Sequence, residues 1–149
     1  MRGGGWLFVG GILSAIAALL HLGCIAFGAA WFRFFGAPEP LIVAYEQGDA
    51  TLIWMTAAIA VVLAIWAAYA FSGAGKIVRL PLLRTALVAI SAIYLARGAF
   101  LLPALILAPY PRYEFDLWSS AIVLVYGVVH AVGTWRAWPH LAPHRTALA

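Results

Sequence analysis

Charge is scarce in this chain. Of its 149 residues, 9% are Asp, Glu, Lys or Arg, and only 5 residues are acidic. A soluble domain carries about 25% charged residues. With 66% hydrophobic residues, a soluble globule of this size has too little polar surface to cover itself. A soluble enzyme and a nucleic-acid module are both excluded on that ground. Cysteine is nearly absent. Cys24 stands alone, so there is no internal disulfide, no CxxC redox pair and no Cys-based zinc or iron–sulfur site. It reads as a small packing residue inside a helix. Period-2 alternation is also missing, and so are internal repeats, low-complexity tracts and any sign of a second domain.

What is present is a set of long apolar runs. A helix needs about 20 mostly apolar residues to cross a ~30 Å hydrocarbon core. Four stretches qualify: residues 6–30, 51–71, 85–102 and 117–135, with a continuation of the third to 108 left open. An open sheet cannot satisfy its backbone in lipid. The expected fold is therefore all-α, an integral-membrane antiparallel four-helix bundle forming one domain over 1–149. The first run resembles a lipoprotein signal ending at Cys24, but His21 occupies the place where such a signal wants an aliphatic residue. It is read as a retained span. Asp49 or Thr51 can cap the second span, Pro81 suits the first turn of the third, and Asp116 can cap the fourth.

The formal net charge of +4 is distributed unevenly. Arg2, Lys76, Arg79, Arg84, Arg136 and Arg145 flank one end of the spans without an acid. Arg33 and Arg112 share the other end with Glu39, Glu46, Asp49, Glu114 and Asp116. Excess Lys and Arg mark the cytoplasmic side. Both termini are therefore expected in the cytoplasm of a bacterial inner-membrane protein, with 31–50 and 103–116 facing outward. Trp6, Trp31, Trp118, Trp135 and Trp138 fall near span ends, where indoles favour the headgroup layer. The Phe/Trp cluster of 31–50 predicts an interfacial segment, with one or two helical turns over 41–46. The prolines at 103, 109 and 111 predict a stiff segment against the bundle.

Ionisable residues inside a span cost about 2.5–3.5 kcal/mol or more to bury, and each is a functional hypothesis. Arg97 is the clearest case. Helix rise puts it roughly 18 Å above the cytoplasmic edge and His21 about 21 Å above it. Thr56 descends to a comparable level, and Tyr94 lies one turn below Arg97 on the same face. Glu46, Asp49 and Asp116 can lean toward this layer from outside. A polar pocket open to the outer side is the expectation, with Arg97 suited to a carboxylate or phosphate. The competing reading is structural: Arg97 snorkels to the interface or pins the spans together by pairing with one of these acids.

His130 shares a helix face with Tyr126 and is a second candidate for the site, or a buried packing residue. A haem between His21 and His130 is not expected, because helix rise separates them by about 10 Å in depth. His140 and His144 flank Pro143, which breaks the helix that would align them on a metal. No metal or cofactor is expected. Ala60, Ala64 and Ala68 recur every four residues, a spacing that favours close helix approach.

The segments WFRFFGAPE at 31–39, YAFSGAG at 69–75, RLPLLR at 79–84 and YLARG at 94–98 resemble a group of uncharacterised four-span bacterial inner-membrane proteins. The Arg97-Gly98 pair is also loosely similar to DoxX-like four-span proteins. The resemblance implies location and architecture and no activity. Three functional readings follow. One is a membrane protein that binds or transports a small anionic or lipid-like ligand around Arg97. Another is a non-catalytic subunit of a homo-oligomer or larger membrane complex. The last is an intramembrane enzyme using His21 or His130. Membrane lipid is the surrounding partner in all of them, and nucleic acid in none.

Overall fold

The computed structural model describes residues 3–99 and 114–141, apart from the side chains of residue 3 and residues 114–116. Among these residues the chain is all-helical. Six α-helices follow one another: α1 (Gly3–Phe27), α2 (Ala29–Phe34), α3 (Glu39–Glu46), α4 (Thr51–Gly73), α5 (Leu83–Ala99) and α6 (Glu114–Ala137). A 3-10 turn over Trp138–Leu141 closes the described chain. Three helical stretches are long and apolar enough to cross a membrane: Gly4–Phe27, Thr51–Gly73 and Leu117–Leu141. The described α5 has 17 residues, about 25 Å of helix. The rest of the expected third span, and its continuation toward 108, lie outside the described residues.

The boundaries differ from expectation in instructive ways. The first span was expected to continue to residue 30, but α1 stops at Phe27. Gly28 takes φ +74°, a left-handed conformation that glycine adopts without a Cβ penalty, and α2 leaves at a new angle. Pro81 falls in a turn ahead of α5 instead of inside its first turn, followed by Leu82 at φ +51°. α6 begins at Glu114, so Asp116 lies within its first turn, not ahead of it as a cap. The side chain of Asp116 and the expected segment 103–113 lie outside the described residues.

Packing pairs give the helix directions. Near the start of α1, Gly4 approaches Ala74 at the end of α4, and Leu7 packs on Leu83, Leu87, Ala137 and Leu141. In the middle, Ala18 meets Leu63, Ile90 and Tyr94. Farther along, Cys24 packs with Phe32, Ile42 and Leu52. The four longest helices therefore alternate in direction. α1 packs along α4 and α6, and α5 along α6, while α4 and α5 touch only sparingly.

α5 and α6 interlock through two glycines. A Cβ on Gly98 would lie 2.6 Å from the Leu124 Cα, and one on Gly127 would lie 2.8 Å from the Leu95 amide nitrogen. Each glycine is the seat for the other helix's leucine. Close approach of this kind drives helix association where lipid tails compete with apolar side chains. On α4 the buried residues are Leu52, Thr56, Ala60, Leu63, Ala67, Ala70 and Ser72. The expected Ala60-Ala64-Ala68 row is not the packed face, because steps of four residues advance about 40° beyond a full turn and carry Ala64 out to an exposed position.

The distribution of polarity is inverted relative to a soluble protein. Ser14, Thr56, Ser72, Ser91, Ser120, His130 and Thr134 are buried. Leu19, Val61, Val78, Ile93 and Val125 are exposed, Leu19 to 66%. Apolar surface of that extent marks a face meant for lipid or another apolar partner.

The two ends differ chemically. At one, Arg79 donates to the His140 and Leu141 carbonyls, and Arg84 donates to the Trp138 carbonyl at 2.7 Å. Arg84 also sits over the Trp138 ring, 4.6 Å from its centroid. Ser72 organises the α4–α5 connection there: its hydroxyl donates to the Val78 carbonyl and accepts from the Leu80 amide, both at 2.9 Å. The opposite end is covered by α2 and α3. Residues 41–46, expected to form one or two helical turns, belong to α3.

Candidate functional site

A cavity of about 830 Å³ lies between the helices at the α2–α3 end. Its size falls within the ~300–1,000 Å³ range of small-molecule sites. α1 supplies Ala17, Leu20, His21 and Cys24 to its wall, and α4 supplies Met55, Thr56, Ile59 and Val62. α5 contributes Ile93 and Arg97, and α6 contributes Trp118, Ser119, Ile122 and Val123. Trp66, Tyr94 and Tyr126 also line it. Tyr94 makes edge-on contacts with both other rings, at centroid separations of 4.8 and 5.7 Å.

Four of the residues singled out in the sequence, Arg97, His21, Tyr94 and Thr56, meet on this one cavity. Arg97 donates from Nη1 to Ser120 Oγ at 3.1 Å. Both salt bridges among the described residues belong to Arg33, so no described carboxylate neutralises Arg97. His21 Nδ1 lies 2.8 Å from the Ala17 carbonyl. Donation there places the proton on Nδ1 and leaves Nε2 for another partner. The Thr56 hydroxyl donates to the Leu52 carbonyl at 2.7 Å, a back-bond within its own helix that keeps its oxygen lone pairs available.

Of the acids expected to lean toward Arg97, Glu46 and Asp49 are engaged elsewhere, and the side chain of Asp116 lies outside the described residues. Glu46 accepts from Arg33 Nη1 and Nη2 at 2.9 and 3.1 Å. Glu39 accepts from Arg33 Nε and Nη2 at 3.2 and 3.0 Å. The guanidinium fork thus clamps both ends of α3 onto α2, since its donor pairs match carboxylate geometry. These bonds hold the Glu46 carboxyl below its ordinary range and raise Arg33 above its own. Asp49 Oδ1 accepts from the Thr51 amide at 2.7 Å. Its hydrogen bonds to Thr51 lower its proton affinity, and it marks the start of α4, not the cavity. In both cases the carboxylate is taken by a donor close to it in the sequence.

His130 is placed apart from the cavity wall. It is fully buried. Its Nδ1 lies 2.9 Å from the Tyr126 carbonyl and its Nε2 3.4 Å from Ser14 Oγ. Ser14 Oγ is in turn 2.9 Å from the Tyr94 hydroxyl. One donor sequence satisfies every group: Tyr94 donates to Ser14, Ser14 to His130 Nε2, and His130 Nδ1–H to the Tyr126 carbonyl. Gly10 makes room for the ring, since a Cβ there would lie 2.9 Å from His130 Cε1. Ser14 precedes His21 by seven residues, about 10 Å of helix, so the two histidines occupy different levels. Among the described residues no group of three or more His, Cys, Asp or Glu side chains converges on a common point.

Sequence reasoning missed several participants. Ser14 and Ser120 interrupt apolar runs, the same signal that identified Thr56. Their partners lie 80 to 116 and 23 residues away, and no local pattern encodes those pairings. Phe32, Phe35, Ala37, Pro38 and Leu41 line the cavity from the α2–α3 side. Their role depends on the turn at Gly28. Comparison with known proteins found no matching family model, no matching curated protein and no matching solved structure.

Proposed function

We propose that this chain is a four-span protein of the bacterial inner membrane that binds or carries a small anionic or lipid-like ligand in the cavity around Arg97. The observation behind this reading is a guanidinium on the wall of a mostly apolar cavity, with Ser120 as its hydrogen-bond partner and no described carboxylate against it. Arg97 is exposed along part of its side chain while lining the cavity, and its planar fork of donors matches a carboxylate or phosphate. The arrangement of basic residues supports the orientation. Lys76, Arg79, Arg84 and Arg136 lie at the end away from α2 and α3, and by the positive-inside tendency that end is cytoplasmic.

Arg97→Ala abolishes thermal stabilisation by an anionic ligand in this reading. Wild-type protein gains about 2.7 kcal/mol at a ligand concentration 100 times Kd. Stabilisation that persists unchanged in the variant rejects the site. Orientation is checked with cysteines at exposed positions. Ile77→Cys is labelled only from the cytoplasm and Gln47→Cys only from outside, and the reverse pattern overturns the topology.

A second reading, a non-catalytic subunit of a larger membrane complex, draws on the Ser14–Tyr94–His130 group. Those polar side chains join α1, α5 and α6 and serve packing alone.

A further inference from the structure

The cavity's walls differ in how they meet the surroundings. On the α2–α3 side, Phe32, Phe35 and Leu41 line it, and the Arg33–Glu39–Glu46 clamp fixes those two helices together. On the flank, Met55, Ile59 and Ile93 line the same cavity while remaining 50%, 46% and 50% exposed. They come from α4 and α5, neighbours that touch only sparingly. The approach from the flank is therefore apolar on both sides, and the approach from the α2–α3 end is covered.

Resting on the proposed binding function, we infer that the ligand is a single-chain amphiphile with an anionic head, drawn sideways from the lipid phase between α4 and α5. Its head pairs with Arg97 and its chain lies against the apolar wall of α4. Three observations converge on this class. The cavity is apolar over most of its lining, which favours a chain over a small hydrated anion. Arg97 carries a permanent charge and a fork of donors on the cavity wall, which suits a negative headgroup. The volume of about 830 Å³ suits one molecule of drug-like size, and a chain passing Ile59 and Ile93 runs over apolar side chains. A water-soluble anion gains nothing from that route.

The test uses the full chain in nanodiscs of zwitterionic phosphatidylcholine, titrated with 9,10-dibromostearic acid. Bromine quenches nearby indoles, and Trp66 lines the cavity. The readout is the saturable quenching that disappears in Trp66→Phe. Stearic acid bearing bromine should show it, and the corresponding methyl ester should bind about tenfold more weakly or worse, the loss expected for one charge-assisted hydrogen-bonded contact. Arg97→Gln should bring the acid down to the level of the ester and leave the ester unchanged. Equal affinities of acid and ester overturn the inference on wild-type protein alone, so the outcome stands even if the variant does not fold. If inorganic phosphate displaces the acid and by itself gives the Arg97-dependent thermal stabilisation, the chain is irrelevant. The amphiphile assignment then falls while the anion-binding function survives. If neither saturable Trp66 quenching nor Arg97-dependent stabilisation occurs with any of these probes, both fall.

Discussion

The hydroxyls of Ser14 and Tyr94 lie 2.9 Å apart and join α1 to α5, two helices that meet through side chains while their backbones seldom approach. α1 and α5 each lean on α6, and this bond crosses the interior between them. His130, on α6, completes the group through Ser14. Three helices are thereby tied at one level, directly beneath the Tyr94 ring that lines the cavity.

Removing the central hydroxyl should cost more than removing the terminal one. Tyr94→Phe deletes a donor and leaves Ser14 bonded to His130, for a loss of about 1 kcal/mol. Ser14→Ala strands both the Tyr94 hydroxyl and His130 Nε2, at about 1–3 kcal/mol. The double variant should lose less than the sum, since the two changes remove one shared contact. Denaturation of the four proteins in the same detergent measures the cycle, and strict additivity would show that the hydroxyls are not coupled.

The glycine seats on α5 and α6 should be sensitive to a single methyl group. In Gly98→Ala the new Cβ meets the backbone of Leu124, which cannot rotate away. Helices forced apart in this way lose about 1–3 kcal/mol. Ala96→Leu, on an exposed face of the same helix, should leave stability nearly unchanged. Equal thermal shifts in the two variants would remove the interlock from the account of the fold.

The α2–α3 clamp should loosen in acid. The Glu46 carboxyl is held below its ordinary value of 4.5 by hydrogen bonds from Arg33. A carboxyl with a lowered folded-state pKa contributes stability above its unfolded value, and that contribution fades as the pH falls through the folded one. Protection of the α3 amides from hydrogen exchange should therefore hold at neutral pH and decline below about pH 4.5. Glu46→Gln should flatten that decline. The pair is exposed, so the effect is local and global unfolding should move little. A pH profile that is the same in wild type and Glu46→Gln would show that the clamp does not hold α3.

Much of this molecule follows from its order of residues. Apolar runs of about 20 residues have few structures open to them other than helix, because lipid supplies no hydrogen-bond partners for a backbone. The starts of α4 and α6 came within a few residues of expectation, and the basic cluster at 76–84 could be placed at one end. Arg97, His21, Thr56 and Tyr94 were conspicuous as polar breaks, and counting helix rise put Arg97, His21 and Thr56 at similar depth. Depth is a one-dimensional quantity that periodicity and length determine. Rotation about each helix axis is not, since all faces of these helices are apolar and no stripe declares which one is buried. Tertiary packing decided that Arg97 and His21 face one cavity, that Glu46 turns to Arg33, and that His130 is sealed against Ser14. It did so through steric fit at glycines and through short-range competition among hydrogen-bond donors, both of which exist only once the helices are side by side.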